Sequence, residues 1–155
     1  STMHIRHYKI QDAEAIAQLF LGTVRTINAR DYTAEQLAAW TAGNTEPSVW
    51  HAKLTSAKIA LVAEMDGSIV GFADLTHEGV LDHLFVHKDF QRRGVGRALC
   101  QAIKEAFDGE MLQTFASITA KPFFESMGFV VLKEQTVKRN SEELINYLMV
   151  KMAKK

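Results

Sequence analysis

One stretch of the chain decides its fold, and it runs Leu81-Asp-His-Leu-Phe-Val-His-Lys-Asp-Phe-Gln-Arg-Arg-Gly-Val-Gly-Arg-Ala-Leu99. The largely apolar run from Val80 to Val86 predicts a buried strand. Apolar residues then recur at helical spacing from Val95 to Ala106, which predicts an amphipathic helix. A further strand-like run begins at Met111. We expect this strand–loop–helix–strand unit to be the crossover between two parallel strands.

The start of the predicted helix has the composition of an anion site. Gln91 to Arg97 opens the helix, and Gly94 and Gly96 stand at its entrance. Glycine lets the main chain approach a ligand closely. The first N–H groups of a helix have no internal partner and lie at the positive end of its dipole. With Arg92, Arg93 and Arg97 nearby, these groups predict a site for phosphate or pyrophosphate.

Two common phosphate motifs do not fit this stretch. A nucleotide-triphosphate loop ends in Gly-Lys-Ser/Thr, whereas Gly96 is followed by Arg97 and Ala98. A dinucleotide fingerprint needs a small residue where Leu99 stands. The other interpretation is that the two glycines serve only the packing of the helix.

Patterns outside this stretch predict a mixed α/β order, with helices first and strands later. Asp12 offers an N-cap for the first helix, and Thr33 to Gln36 has the form of a capping box for the second. Asp66-Gly67 predicts a tight hairpin. Strands are predicted at 5–10, 59–65, 69–75, 111–116, 129–138 and 146–152, and short helices at 49–54 and 120–127. A polar loop around Asn140 and Ser141 joins the last two strands.

Composition bounds the class of protein. The 155 residues, 47% of them hydrophobic, predict one folded domain, which we place at 3–155. Ser1 and Thr2 before Met3 are interpreted as a cloning scar, and Lys151 to Lys155 as a solvated tail. Equal numbers of basic and acidic residues, 18 each, argue against a nucleic-acid-binding protein. The lone Cys100 excludes an internal disulfide and a thiolate zinc cluster.

Further expectations follow from what the sequence lacks. No apolar run is long enough for a membrane helix, and the histidines show no metal-ligand spacing. We therefore expect a cytoplasmic protein with no metal, no nucleic acid and no membrane partner, either monomeric or homodimeric.

Four motifs together resemble the GNAT acetyltransferase superfamily. Gln91-Arg-Arg-Gly-Val-Gly96 is similar to its Gln/Arg-x-x-Gly-x-Gly/Ala motif. Asp66-Gly67 followed by Ile69-Val-Gly-Phe72 resembles its central hairpin, and Leu84-Phe-Val86 resembles its splayed fourth strand. Phe123-Phe-Glu-Ser-Met-Gly-Phe129 is similar to its Phe-Tyr-x-x-x-Gly-Phe signature.

The resemblance implies a largely antiparallel central sheet with a splayed parallel pair and helices on both faces. It also implies acetyl-CoA as co-substrate, with the pyrophosphate on the amides of Arg92 to Ala98. The pantetheine arm would lie along Leu84 to Val86, and the Val86 amide would stabilise an oxyanion. The implied cofactor-binding residues are Leu84, Phe85, Val86, Arg92, Arg93, Gly94, Val95, Gly96, Arg97, Ala98, Ser117, Phe123 and Phe124.

The sequence departs from the family at the proton donor. The tyrosine of the signature, which protonates the leaving thiolate, is replaced by Phe124, and Tyr147 is a candidate substitute. Asp82 and His83 are candidates for the general base. Because side chains alternate along a strand, we expect Asp82 to face with Leu84 and Val86, and His83 with Leu81 and Phe85. We prefer Asp82 for substrate binding or base work, with His83 close behind and His77 and Glu78 as weaker candidates.

The acceptor is expected to be a primary amine of a small molecule or peptide. Tyr32 and Trp40, with Asp82, are its candidate binding residues, and Trp50 is a further aromatic in the same region. The resemblance implies direct transfer without a covalent enzyme intermediate. Because Phe124 lacks a hydroxyl, a non-catalytic acyl-CoA-binding or regulatory module is the alternative, and a subunit of a larger assembly is a third hypothesis.

Overall fold

The structure is a computed structural model that describes residues 2–153. Its strands are β1 (Met3–His7), β2 (Ile59–Met65), β3 (Ser68–Leu75), β4 (Val80–Val86), β5 (Met111–Ser117), β6 (Val130–Arg139) and β7 (Glu142–Met152). Its helices are α1 (Ala13–Thr26), α2 (Ala34–Thr41), α3 (Pro47–Ser56), α4 (Val95–Ala106) and α5 (Lys121–Ser126). Short 3-10 turns cover Ile10–Asp12 and Asn28–Arg30.

One sheet connects all seven strands in the order β1-β2-β3-β4-β5-β7-β6. Neighbouring strands are antiparallel except β4 and β5, which are parallel. The parallel contact is short, because only Val80 pairs with Gln113 and Leu81 with Thr114. Beyond these pairs the two strands diverge, so the predicted largely antiparallel sheet with a splayed parallel pair is confirmed.

Helices cover both faces of the sheet. On one face, α4 buries Leu99 and Ile103 against β2, β3 and β4. On the other, α1 and α3 bury Phe20 and Trp50 against Val62 and Phe72. Each face thus has its own core, and the diverging strands lie between them. Within residues 2–153, no helix has the length and apolar character needed to cross a membrane.

The predicted start of the fold needs a correction. The first strand is Met3–His7 rather than 5–10, because its register with β2 begins at the pair Met3 and Met65. The chain leaves the sheet at Lys9, whose N–H donates to Oδ2 of Asp12 at 2.8 Å. Asp12 is the N-cap residue of α1, as predicted, but its side chain makes no cap bond to the helix and pairs with Arg6 instead.

The last hairpin is longer than predicted. β7 begins at Glu142 rather than at 146, and the turn contains only Asn140 and Ser141, both at positive φ. The predicted lysine tail is also wrong at its start, because Lys151 pairs with Leu112 and donates to the carbonyl oxygen of Met127. Ser1, Lys154 and Lys155 lie outside the described residues, and with them part of the expected cloning scar and tail.

Candidate active site

A cavity of about 990 Å³ opens where β4 and β5 diverge. Its walls come from β4, the start of α4, β5, α5, the end of α2 and the hairpin of β6 and β7. The chain therefore gathers most of the predicted site residues at one place. These residues line the cavity at two ends. The loop before α4 forms one end, and α2 with the last hairpin forms the other.

The exposed edge of β4 presents main-chain groups to this cavity. The N–H of His87 donates to the carbonyl oxygen of Val70, on the β3 side. Because N–H directions alternate along a strand, the amides of Leu84 and Val86 point the other way, into the splay. The carbonyl oxygen of Val86 accepts hydrogen bonds of 2.8 Å from Oγ1 of Thr23 and Nε2 of Gln91. Val86 is thus held firmly while its N–H stays directed at the cavity.

The loop before α4 forms a concave main-chain surface. Arg92 and Gly94 adopt left-handed conformations, with φ of 62° and 84°. A non-glycine residue in this region costs about 1 kcal/mol, so Arg92 is held against a local preference. The helix begins at Val95 rather than at Gln91, because Gly94 is its N-cap. Turns of this kind aim successive N–H groups at one point and bind anions.

Hydrogen bonding limits which amides can bind an anion. The N–H of Ala98 donates to the carbonyl oxygen of Gly94 at 3.0 Å and so closes the first turn of α4. The amides of Val95, Gly96 and Arg97 precede this bond and have no partner within the helix. The expected role of the Ala98 amide is therefore wrong, because that donor is already used.

The arginines of this segment divide between two directions. Arg92 and Arg97 line the cavity. The guanidinium of Arg93 lies 5.1 Å from the centre of the Phe90 ring, and Arg93 is not among the cavity-lining residues. We therefore assign the electrostatic attraction for an anion to Arg92 and Arg97.

Phe123, Phe124 and Ser117 form the wall next to the helix start. A Cβ at Gly96 would lie 3.2 Å from the Phe123 ring, so only glycine fits there without displacement. Phe124 is 4% exposed and packs edge to face against Phe123 and Phe129. The Ser117 hydroxyl oxygen accepts from the Ala120 N–H at 3.0 Å. All three predicted residues line the cavity.

A β-bulge changes the predicted faces of β4. Asp74 pairs with His83, whereas the next residue, Leu75, pairs with Leu81, so Asp82 has no partner on β3. This extra residue interrupts the alternation of side chains. Leu81 packs into the α4 core, whereas the His83 ring contacts Trp50 on the α3 side. The prediction that His83 and Leu81 share a face is therefore wrong, and both Asp82 and His83 line the cavity.

A buried carboxylate holds His83. Asp74 is 3% exposed, and its Oδ1 accepts from the main-chain N–H of His83 at 2.8 Å and lies 2.9 Å from Nδ1 of the ring. Burial alone would lower the pKa of His83. The hydrogen bond and charge of Asp74, helped by the charge of Asp82, outweigh that effect, so the pKa is raised above its ordinary value despite Lys53.

The aromatic residues of the N-terminal region have different surroundings. Tyr32 and Trp40 line the cavity and contact each other edge to face. The Tyr32 hydroxyl accepts from the Ile118 N–H and donates to the Ile145 carbonyl oxygen, so it ties the ends of β5 and β7 together. Burial raises the pKa of Tyr32. Trp50, the further aromatic of this region, is 1% exposed and is a core residue.

Tyr147 has different surroundings from the other catalytic candidates. Its ring contacts the Lys121 ammonium at 5.4 Å, and it is not among the residues that line the cavity. The neighbouring Asn146 does line it, and Oδ1 of Asn146 is buried without a hydrogen-bond partner among the described residues. The geometry makes Tyr147 the weakest of the three catalytic candidates.

Sequence reasoning missed several residues of the cavity, among them Thr23, Lys53 and Asn146, and it missed Asp74, which holds His83 from β3. One signal was available for Asp74, because an acidic residue within the apolar run from Ile69 to Leu75 needs a buried partner. Nothing in the sequence marks Lys53 or Asn146, since their elements reach the cavity only through the packing of the chain.

Comparison with known proteins places this geometry in a family. Residues 28–153 match the family model of the acetyltransferase (GNAT) domain. The chain is 33% identical over 149 residues to the uncharacterised N-acetyltransferase YafP of Escherichia coli strain K12, covering 96% of this chain and 95% of that protein. The chain therefore belongs to the GNAT acetyltransferases, as its motifs predict.

Solved structures agree with this assignment. A protein from Rhodopseudomonas palustris, described as a GCN5-related N-acetyltransferase, is 34% identical with a TM-score of 0.92, covering 98% of this chain and 96% of its own. PaiA N-acetyltransferase from Thermoplasma acidophilum, crystallised with coenzyme A, has the same fold at a TM-score of 0.76 and 16% identity. The overlap in that case spans 98% of this chain and 99% of the other.

Proposed function

We propose that the protein is an N-acetyltransferase that moves an acetyl group from acetyl-CoA directly to a primary amine of a small molecule or peptide. One observation carries the proposal: the unpaired edge of β4 and the free amides at the start of α4 face the same cavity. Membership of the GNAT family and the coenzyme A bound in a structure of the same fold support it.

The loop before α4 would hold the phosphate groups of the co-substrate. The amides of Val95, Gly96 and Arg97 donate hydrogen bonds, and Arg92 and Arg97 supply positive charge. The free edge at Leu84 and Val86 has the donors and acceptors that would let an amide-containing arm bind as an added strand. Phe123 and Phe124 line the adjoining apolar wall.

The Val86 N–H is the group placed to stabilise charge during transfer. Acetyl-CoA supplies a thioester whose carbonyl oxygen gains negative charge when an amine attacks. A fixed main-chain donor acts on that charge without reorganisation, because Val86 is held by Thr23 and Gln91. A base among Asp82 and His83 would take the proton of the ammonium form of the acceptor.

Phe124 raises the question of the proton donor. It has no hydroxyl, and its ring is packed among Phe123 and Phe129. A thiolate of pKa near that of cysteine, about 8.5, leaves without prior protonation. We infer that the leaving sulfur takes its proton from the reacting nitrogen or from solvent. The alternative, a non-catalytic acyl-CoA-binding module, has the same binding site but no turnover.

Isothermal titration with acetyl-CoA tests the binding site. The parent should bind, and Gly96→Asp should bind about tenfold more weakly or worse, since a carboxylate would repel the phosphates. Gly96→Asn is the matched control, because it places the same bulk against Phe123 without the charge. If the parent does not bind, or Asp and Asn have equal effects, the anion site is misassigned.

Release of CoA thiol with a panel of amines tests catalysis. The panel contains amino acids, polyamines, an aminoglycoside and short peptides. Turnover that depends on the amine supports the transferase. Tight binding with no turnover for every amine of the panel would favour the non-catalytic module.

A further inference from the structure

We propose that Asp74 and His83 form a proton-accepting pair, in which Asp74 positions the imidazole and His83 takes the proton of the acceptor through Nε2. This inference rests on the proposed function and names the base within it. It also reverses the preference for Asp82 that the sequence favours.

The contacts of His83 determine which nitrogen can act. Among residues 2–153, the hydrogen bonds of the ring run through Nδ1, which lies 2.9 Å from Oδ1 and 3.2 Å from Oδ2 of Asp74. A carboxylate only accepts hydrogen bonds, so Nδ1 carries the proton in the neutral ring. Nε2, at the opposite side of the ring, then has a free lone pair, and His83 lines the cavity.

The ring is also held in orientation. Asp74 binds both the main chain and the side chain of His83, and the ring packs edge to face against Trp50 with centres 5.0 Å apart. The side chain of His83 is 17% exposed, so it reaches the cavity while most of its surface is packed. A base fixed in this way loses little freedom when a substrate binds.

Asp82 lacks this support. Its side chain is 54% exposed, it has no partner on β3, and its closest approach to His83 is 3.8 Å to Nδ1. An exposed carboxylate that no neighbouring group orients is poorly placed to take a proton from the acceptor. Asp82 contributes negative charge next to the imidazole instead.

Three charged groups act on His83 from the elements packed around it. Asp74 on β3 and Asp82 on β4 favour its protonated form, and Lys53 on α3 opposes it. Together with burial, these leave the pKa above the ordinary value of histidine. The base is therefore stronger than free imidazole.

The proton balance of the step is complete. The ammonium of the acceptor gives one proton to Nε2 of His83. The freed amine forms the C–N bond, the C–S bond breaks, and the sulfur leaves with the bonding pair. The second nitrogen proton ends on the thiol, and His83 returns its proton to solvent after product release.

Nuclear magnetic resonance of the histidine rings tests the pair without any acceptor. In the parent at high pH, the ring nitrogen shifts of His83 should show a proton on Nδ1, with a titration midpoint above that of free histidine. Asp74→Asn keeps an acceptor oxygen for the ring, so it preserves the fold while removing the charge. It should lower the midpoint by more than Asp82→Asn, the matched control for the same loss of charge at an exposed site.

A proton on Nε2 in the neutral ring, or a midpoint that Asp74→Asn leaves unchanged, would overturn the proposal. Asp74, Asp82 and His83 place their ligand atoms within 4.8 Å of one another, an arrangement that could hold a metal ion. If the effect of Asp74→Asn on the midpoint appears only after metal is removed with EDTA, the proposal is overturned as well.

Kinetics with acetyl-CoA and the fastest amine of the panel provide the second readout. His83→Gln should lower kcat/KM by ~100-fold or more and remove the acidic limb of its pH profile. Asp74→Asn should move that limb to lower pH, and by more than Asp82→Asn does. Acetyl-CoA affinity, measured by titration, should stay within about twofold of the parent in all three variants if they are folded.

The two readouts separate the proposals. Absence of turnover in the parent would contradict the proposed function, while the ring tautomer would still decide the role of Asp74. Turnover whose acidic limb survives in His83→Gln would contradict the assignment of the base and leave the transferase intact.

Discussion

At the scale of single residues, Asp12 shows that a local pattern can predict the position of a residue without predicting its partner. Asp12 stands at the position of an N-cap, yet its carboxylate makes two hydrogen bonds of 2.8 Å with Arg6 on β1. Arg6 also binds Glu64 on β2. Burial alone would raise the pKa of Asp12, but the bonds from Arg6 and Lys9 outweigh it and hold the pKa below its ordinary value.

We expect Arg6→Met to destabilise the fold by ~2–3 kcal/mol, because Asp12, 6% exposed, would lose its charged partner. The stability that comes from the depressed pKa is present above the carboxyl pKa of the unfolded chain. It is lost as the pH falls through the folded pKa. Urea unfolding at a series of pH values should therefore show a smaller acid dependence in Arg6→Met than in the parent.

Lys58→Met is the control for this measurement. It removes an ion pair with Asp108, whose side chain is 81% exposed, and should cost under ~1 kcal/mol. Equal losses in the two variants would contradict the importance of the Arg6–Asp12 pair.

At the scale of the elements, the packing of α4 on β3 depends on one glycine. A Cβ at Gly71 would lie 2.7 Å from Cγ1 of Val95 and 3.0 Å from Cδ1 of Leu99. Val95 is the first residue of α4, and its amide belongs to the proposed anion site. The close approach of strand and helix therefore couples stability to the position of that site.

Gly71→Ala should lower the free energy of unfolding by ~1–3 kcal/mol, because the added methyl group displaces α4. It should also weaken acetyl-CoA binding, since the start of α4 must move. Gly22→Ala is the matched control within α1, where the nearest atom to a Cβ is 3.6 Å away on the flexible Lys88. That change should stabilise the helix by ~0.5–1 kcal/mol. Urea unfolding of both variants measures these two changes in stability. A Gly71→Ala variant as stable as the parent would refute the tight packing of α4 on Gly71.

At the scale of the whole molecule, two parts of the sheet meet at a short seam. β1 to β4 form one antiparallel unit and β5 to β7 another, and only two residue pairs join β4 to β5. Further ties cross the splay, such as the bonds of Tyr32 to Ile118 and Ile145. A ligand in the splay would add contacts to both parts.

Saturating acetyl-CoA, at about 100 times its Kd, should stabilise the protein by ~2.7 kcal/mol, which corresponds to a rise in Tm of about 5–10 °C. Hydrogen exchange should show new protection at the amides of Leu84 and Val86. Adenosine 3′,5′-bisphosphate is the control ligand, because it has no pantetheine arm and should leave the β4 edge unprotected. Exchange at Val86 that acetyl-CoA does not slow would contradict the placement of the arm.

The parts of the site that depend on residues close together in the sequence could be predicted, and the parts that depend on distant residues could not. Three elements follow from local patterns, and the structure confirms each of them. They are the strand Val80–Val86, the helix that follows the glycines at 94 and 96, and the helix capped by Thr33 and Gln36. The family is evident from the same local motifs. The predicted start of α4 at Gln91 is wrong, because a glycine in a left-handed N-cap and an uncapped helical turn give similar sequence patterns.

By itself, the sequence determined the family, the crossover and the place of the proposed anion site, because each depends on residues within about 20 positions of one another. Only the tertiary structure decided which side chains meet in the cavity. Asp74 reaches His83 through the pairing of β3 with β4, and the bulge at Asp82 then selects the face of each side chain. Pairing register and bulges depend on strand contacts across the sheet, and no local pattern encodes them.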